Sequence, residues 1–304
     1  MAKTKSVLVR VPATTANLGP GYDCLGLALD IWNEIEISVS GKALSIEIEG
    51  EGKGLLPGDS TNLIYESMGT LARHSFSMLP EGIHIKCNNR IPVSSGLGSS
   101  AAAVIAGLLG AKALLDIPIN DLDLLKLALP HEGHADNISA CLLGGLVISV
   151  LSDDVLFTKK ISIKPLHAVI ALPDVKISTH QARSALPDKI ALKDGVFNLA
   201  RVGLLINSLK EGNYDYLKIA MQDRLHQPFR YGLIPGAEEA ISGALDAGAF
   251  GAALSGAGPS VIAFVEKEDQ KVEKLLVQAF EKAGISSKIF KSITTDQGAH
   301  VQKH

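Results

Sequence analysis

The sequence predicts an α+β fold in two domains, on three observations. Strand-like segments in the first half alternate apolar and polar residues, the mark of sheets with one solvated face. Strands and helices follow one another without strict βα alternation, which argues against a doubly wound sheet. The 304 residues are enough for two modest domains with a substantial core.

The first strands are expected at "SVLVRVPA" (6–13), "NEIEISVS" (33–40) and "ALSIEIEG" (43–50), which are also rich in β-branched residues. "TNLIYESMGTLARHS" (61–75) repeats apolar residues near a 3.6 period behind a Thr/Asn cap and predicts a helix. "GIHIKCNNRIP" (82–92) alternates again. A Gly/Ser loop then opens into an Ala/Leu-rich helix that ends at Leu115, before Asp116 and Pro118. "INDLDLLKLAL" (119–129) predicts a shorter helix stopped by Pro130, and 134–150 a helix, a Gly-Gly turn and a buried strand. The domains are expected to divide near 155, into 1–155 and 156–304.

The second block carries strands near 159–172, a long helical pattern over 192–213, and a strand, tight Gly turn and strand over 250–267. A helix over 269–283 and a last strand, "SSKIFKSIT", complete it, a sheet with helices on one side. The final "DQGAHVQKH" is polar and predicted to fray.

Composition narrows the class of function. With 46% apolar and 20% charged residues the chain is an ordinary globular protein, and a net charge of −3 offers no field for nucleic acid or anionic lipid. Cys24, Cys87 and Cys141 lie far apart with no CxxC pair, so reduced thiols are expected. No leader-like segment and no run near the roughly 20 apolar residues of a membrane span is found, and a cytoplasmic protein is expected.

"PVSSGLGSSAAAVIAG" (92–107) has the chemistry of an anion site. Gly96 and Gly98 permit positive φ and close approach, Ser94, Ser95, Ser99 and Ser100 bring hydroxyls, and a helix N-terminus follows at once. Neither the GxGxxG nor the GxxxxGK[ST] pattern fits, and a plain Gly/Ser helix cap remains the alternative on these residues alone. Two further stretches look shaped for a cleft. "VPATTANLGPGYDCLGLAL" (11–29) looks too polar and Gly-rich for a core segment, with Asn17 and Asp23 flanking a Gly-Pro-Gly turn. "LSGAGPS" (254–260) puts small residues and a proline between two apolar strands.

Taken in order, these three stretches resemble the three motifs of the GHMP small-molecule kinases, over essentially the whole chain. The first motif is most similar to that of the members that phosphorylate homoserine. The resemblance implies an N-terminal ribosomal-S5-like domain and a C-terminal ferredoxin-like domain, with ATP and substrate in the cleft between them. It implies transfer of phosphate from ATP to the hydroxyl of L-homoserine, and commonly a homodimer. Nucleotide phosphates fall on Pro92, Val93, Ser94, Ser95, Gly96, Leu97, Gly98, Ser99, Ser100, Ala101 and Ala102, and the adenine end on Asn62. Mg²⁺ falls on the Ser100 hydroxyl and the Glu132 carboxylate, so that metal and helix dipole replace the missing loop lysine.

"HEGHADN" (131–137) lacks the His-to-His step of four that a zinc helix needs. The resemblance makes His134 a substrate neighbour and Asn137 a contact to the reacting hydroxyl; Ala135 stands where many relatives have proline. An amino-acid substrate needs an acid for its ammonium and a guanidinium for its carboxylate. Asp23 fits the first, Arg183 and Arg230 the second. Asn17 and Asn137 are expected to align the hydroxyl. Asn137 cannot take a proton at neutral pH, and Asp136 is the rival base. A mevalonate-type kinase and a non-catalytic nucleotide-binding homologue are the competing readings.

Overall fold

The computed structural model describes residues 6–153 and 155–303. The chain opens with a long hairpin, β1 (Ser6–Asn17) and β2 (Gly21–Val39), then β3 (Ser45–Gly50), α1 (Leu63–His74) and β4 (Ile83–Asn89). Next come α2 (Ser99–Leu115), α3 (Asp121–Glu132), α4 (Asp136–Leu143), β5 (Leu146–Ser152) and β6 (Val155–Ile161). The second half holds β7 (His167–Pro173), α5 (Thr179–Ser184), α6 (Leu192–Glu211), α7 (Leu217–Ala220) and α8 (Gln227–Arg230). It ends with α9 (Ala237–Ala247), β8 (Gly251–Leu254), β9 (Val261–Val265), α10 (Gln270–Lys282), β10 (Ser287–Ile293) and β11 (His300–Lys303).

Two sheets result. A seven-stranded sheet runs β11-β1-β2-β4-β3, with β5 on β2 and β6 on β5; β3 and β4 are parallel and the other pairs antiparallel. β2 holds it together. Its first half pairs with β5 at Leu25–Leu27 and its second half with β4 at Glu34–Val39, so one 19-residue strand serves two neighbours in turn. A four-stranded antiparallel sheet, β10-β7-β9-β8, has the 4-1-3-2 strand order of the expected ferredoxin-like half.

The central helix α2 is apolar all round, and buried residues such as Val104, Ile105 and Leu108 occupy its faces; such a helix belongs inside a core. It packs between the large sheet and α1. Ala240, Ala244, Leu276 and Phe280 on α9 and α10 close the core of the smaller sheet.

Four expectations change. Segment 11–29 is core, not only cleft wall: Thr14 and Thr15 are fully buried within the β1–β2 hairpin, their hydroxyls paired. Pro130 lies inside α3, which runs to Glu132, because proline displaces only one hydrogen bond in a final turn. β6 pairs with β5, so position 155 falls within the larger sheet; we place the division between β6 and β7. The tail expected to fray returns as β11 and pairs with β1, with His300 opposite Arg10; His304 lies outside the described residues. The helix α9 went unanticipated, although Ala237, Ala240, Ala244 and Ala247 line its buried face at helical spacing.

Candidate active site

The three quoted stretches meet at one cleft, and hydrogen bonds join them directly. The Ser255 hydroxyl donates to the Gly96 carbonyl at 2.7 Å and lies 2.9 Å from the Thr15 hydroxyl. Gly256 N–H donates to the Ala16 carbonyl at 3.1 Å, and Ser260 N–H reaches the Ser95 carbonyl at 3.4 Å. A cavity of about 480 Å³ opens here, lined from both domains.

On the phosphate side, Gly98 caps α2 in the left-handed region (φ 70°, ψ 28°) with no side chain bonded to the first-turn amides. Uncapped amides and a helix dipole make that end receptive to an anion. Val93, Ser94, Ser95, Gly96, Gly98, Ser99 and Ser100 line the cavity. Pro92, Leu97, Ala101 and Ala102 do not; they are buried behind the loop as its packing base, and Ala103 takes a place on the wall. Ser95 is also structural. Its buried hydroxyl donates to the Pro92 carbonyl at 2.7 Å and accepts from Leu97 N–H at 3.2 Å. Ser94, Ser99 and Ser100 remain for a ligand.

The Ser100 hydroxyl donates to the Glu132 carboxylate, bringing the α2 N-terminus and the α3 C-terminus together. Burial raises the Glu132 pKa above its ordinary value, with the Ser100 hydrogen bond opposing it. Asn62 lines the same cavity, but both ends of its amide are engaged. It accepts from Ile64 N–H at 3.0 Å as the N-cap of α1 and donates to the Pro57 carbonyl at 2.7 Å. Asn62 therefore shapes the pocket by fixing the 57–64 turn.

Charged residues line the same cavity. Asp23 and Arg183 pair with each other across the domains, at 2.7 and 2.8 Å, and Arg183 also donates to the Tyr22 hydroxyl at 2.8 Å. The Asp23 hydrogen bond holds the Arg183 pKa above its ordinary value, against partial burial. Arg230 is 1% exposed and donates to the carbonyls of Ala182 and Gly256, at 3.2 Å each. Asn17, Leu18 and Asp23 all have positive φ (68°, 51° and 54°), a concentration of backbone strain of the kind found at functional sites.

The two asparagines differ. Asn17 accepts from Asp23 N–H at 3.0 Å and donates to the Gly256 carbonyl at 2.8 Å, so it braces the Asp23 turn against the third motif. Asn137 accepts from the buried Thr14 hydroxyl at 2.7 Å, which leaves its amide N–H₂ toward the cavity it lines. Thr14 lies behind Asn137 and was not singled out from the sequence; its signal was a hydroxyl within the polar stretch Thr14-Thr15-Ala16-Asn17.

His134 Nδ1 lies 2.5 Å from the Asp136 carboxylate, whose same oxygen accepts from Asn137 N–H at 2.7 Å. Burial opposes protonation of His134, but the hydrogen bond and charge of Asp136 outweigh it, and the pKa is raised above 6.5. His131 sits in a separate groove against the Thr70 hydroxyl at 3.0 Å, so the two histidines do not converge on a metal. A raised histidine pKa stabilises the fold fully below its unfolded value and fades as pH rises through the folded one. Wild type should therefore exceed His134→Gln in Tm at pH 6, with the difference vanishing at alkaline pH; a pH-independent difference in thermal melts would contradict the ion pair.

A helix end ready for phosphate, an adjacent oxygen pair and an amino-acid-sized set of charges define a small-molecule kinase site. Residues 62–145 match the model of the GHMP kinases N terminal domain, and residues 205–283 that of the GHMP kinases C terminal domain. The chain belongs to the GHMP kinase family, with its two-domain α+β fold.

Within that family it stands among the homoserine kinases. It is 40% identical to the homoserine kinase of Moorella thermoacetica, over 97% of this chain and 99% of that protein. It is 41% identical to that of Parasynechococcus marenigrum, over 98% and 96%. The crystal structure of homoserine kinase from Cytophaga hutchinsonii superposes with a TM-score of 0.87 at 34% identity, covering 99% of both chains. No helix among the described residues is long and apolar enough to cross a membrane.

Proposed function

We propose that this chain is a homoserine kinase, transferring the γ-phosphoryl group of ATP to the side-chain hydroxyl of L-homoserine to give O-phospho-L-homoserine, a step of threonine biosynthesis. The observation that carries the reading is the composition of one cavity, which is lined both by an uncapped helix N-terminus and by Asp23, Arg183 and Arg230. Mevalonate and galactose carry no ammonium for Asp23 to receive.

ATP places its phosphates on the 93–100 loop and the first-turn amides of α2. Mg²⁺ fits the Ser100–Glu132 pair, because both donors are hard oxygens beside the phosphate site and this ion commonly takes only one or two protein oxygens with a nucleotide. Among the described residues no cluster of three or more His, Cys, Asp or Glu forms a metal cage, which suits an ion that arrives with its nucleotide. When bound it supplies charge neutralisation of the triphosphate.

The chain's own residues position the acceptor. Asp23 holds the ammonium, Arg183 and Arg230 the carboxylate, and the Asn137 amide, fixed by Thr14, orients the hydroxyl. Phosphoryl transfer has a loose transition state that asks for in-line alignment and charge stabilisation rather than early deprotonation. Asp136 is 2% exposed and already accepts from His134 and Asn137 N–H, so it serves as a brace and not a base. Asp136→Asn should lower kcat by less than about a thousandfold, within the range that loss of a positioning contact explains. A larger loss in a folded variant would reinstate Asp136 as base.

The net charge of −3 suits a small-molecule substrate over nucleic acid. Cys24, Cys87 and Cys141 are free, and burial pushes the Cys87 thiol up to about 12; such inert thiols suit a cytoplasmic enzyme. The test is ADP release with homoserine, mevalonate and galactose as acceptors. Turnover with homoserine alone supports the reading, turnover with mevalonate points to the mevalonate-type alternative, and none with any acceptor points to a non-catalytic homologue.

A further inference from the structure

His226 is fully buried at the junction of the two domains, outside every residue assigned above. Its Nε2 lies 2.7 Å from the Gly19 carbonyl, in the β1–β2 turn that leads into the start of β2, where Asp23 stands. Its Nδ1 lies 3.0 Å from Arg230 Nη1. A carbonyl only accepts and a guanidinium only donates, so the pair of contacts dictates the neutral Nε2–H tautomer, with the Nδ1 lone pair on Arg230.

The surroundings hold that arrangement. Asp223 fixes the entry to α8, accepting from His226 N–H at 3.0 Å, Gln227 N–H at 2.7 Å and Leu225 N–H at 2.8 Å. Its carboxylate also lies 3.5 Å from His226 Nε2. The Tyr22 ring stands 5.3 Å from the imidazole and 5.4 Å from the Arg230 guanidinium. Burial keeps the His226 pKa below its ordinary value, against the pull of Asp223. With Nε on Ala182 and Nη1 shared between His226 and Gly256, Arg230 Nη2 makes no hydrogen bond among the described residues, and the residue lines the cavity.

We infer that His226 is a positioning residue for the amino-acid subsite, setting the distance between the Asp23 turn and the Arg230 guanidinium and aiming Arg230 Nη2 at the substrate carboxylate. The inference rests on the homoserine reading of the cleft. A histidine serving only the fold would need no acceptor nitrogen on a cavity-lining arginine. Here one ring touches the turn that leads to Asp23, the proposed ammonium acceptor, and the side chain proposed to receive the carboxylate.

The experiment compares His226→Leu and His226→Gln with wild type, each alone and in an Arg230→Lys background, reading both KM values, kcat and Tm. Glutamine keeps one acceptor and one donor; leucine keeps neither. His226→Leu should raise the homoserine KM by about tenfold or more, as loss of a hydrogen bond to a charged group does. Its ATP KM should stay within about twofold, and His226→Gln should recover most of the loss. In the Arg230→Lys background the leucine effect should largely disappear, since coupled residues are not additive.

Equal changes in both KM values, no recovery by glutamine, or an undiminished leucine effect in the Arg230→Lys background would overturn the inference while leaving the kinase reading intact. A wild-type enzyme inert toward homoserine would overturn both. Imidazole ¹⁵N spectra of the wild-type protein test the same point without a substitution. A pyridine-like Nδ1 with a pyrrole-like Nε2 for His226 supports it, and an imidazolium or the opposite tautomer sinks it.

Discussion

Glu132→Gln is expected to lower kcat by about 10²–10³-fold, the scale of losing one group that stabilises transition-state charge. Glutamine keeps the length and one oxygen but not the charge, and the Ser100 hydroxyl loses its carboxylate acceptor. The apparent Mg²⁺ requirement should rise, while the homoserine KM changes little because the proposed substrate contacts, Asp23, Arg183 and Arg230, make no hydrogen bond to Glu132. Stability should move the other way. A carboxyl whose pKa is raised on folding is most at ease below its unfolded value, and its burial becomes a liability as pH climbs through the folded value. The metal-free variant should therefore melt at or above the wild-type Tm at neutral pH. An active variant within tenfold of wild type, with an unchanged Mg²⁺ titration, would remove Glu132 from the metal site.

Gly98→Ala carries the second large effect, and it acts through the fold first. A Cβ at this position would stand 2.0 Å from the Thr14 hydroxyl oxygen and 3.2 Å from Asn137 Oδ1, at φ +70°. The left-handed conformation costs an alanine about 1–2 kcal/mol. Thr14 lies on a buried strand and has only its short side chain to move, so its 2.7 Å bond to Asn137 must break. Leaving that buried pair unsatisfied adds about 1–3 kcal/mol, for a total of about 2–5 kcal/mol. Gly41→Ala is the control, since Gly41 has the same φ of +70° and nothing within 4 Å. Denaturant melts of the two variants should differ by the clash alone. Activity of Gly98→Ala should fall at least about a hundredfold even where it folds, because the acceptor amide loses its brace. Equal destabilisation by the two substitutions would show that the Thr14 contact carries no weight.

The strands and helices that repeat a clear pattern were legible before any coordinates. Alternation placed the first part of β1, the second half of β2, β3 and β4, the 3.6 period placed α1, and helical patterns placed α6 and α10. The Gly/Ser loop that opens α2 was legible too, because positive φ at Gly96 and Gly98 favours glycine whatever the rest of the chain does. Local signals fail where pairing is distant. Nothing in "AHVQK" announces that it will lie beside β1, at the far end of the chain, and nothing in "DDVLF" assigns β6 to the larger sheet.

Residue types alone gave a glycine- and serine-rich helix start open to an anion, while the proposed metal pair and amino-acid charges came from the resemblance to the kinase motifs. Which of those groups keep a free hydrogen-bonding end depends on how distant segments pack. Ser95, Asn17 and Asn62 turn inward to hold the backbone, Thr14 fixes Asn137, and His226 grips Arg230. The physical reason is that a side chain's hydrogen-bonding capacity is written in its type, whereas the partner that uses it is set by packing between segments far apart in the chain. A buried polar group must find a partner, and the fold chooses which one.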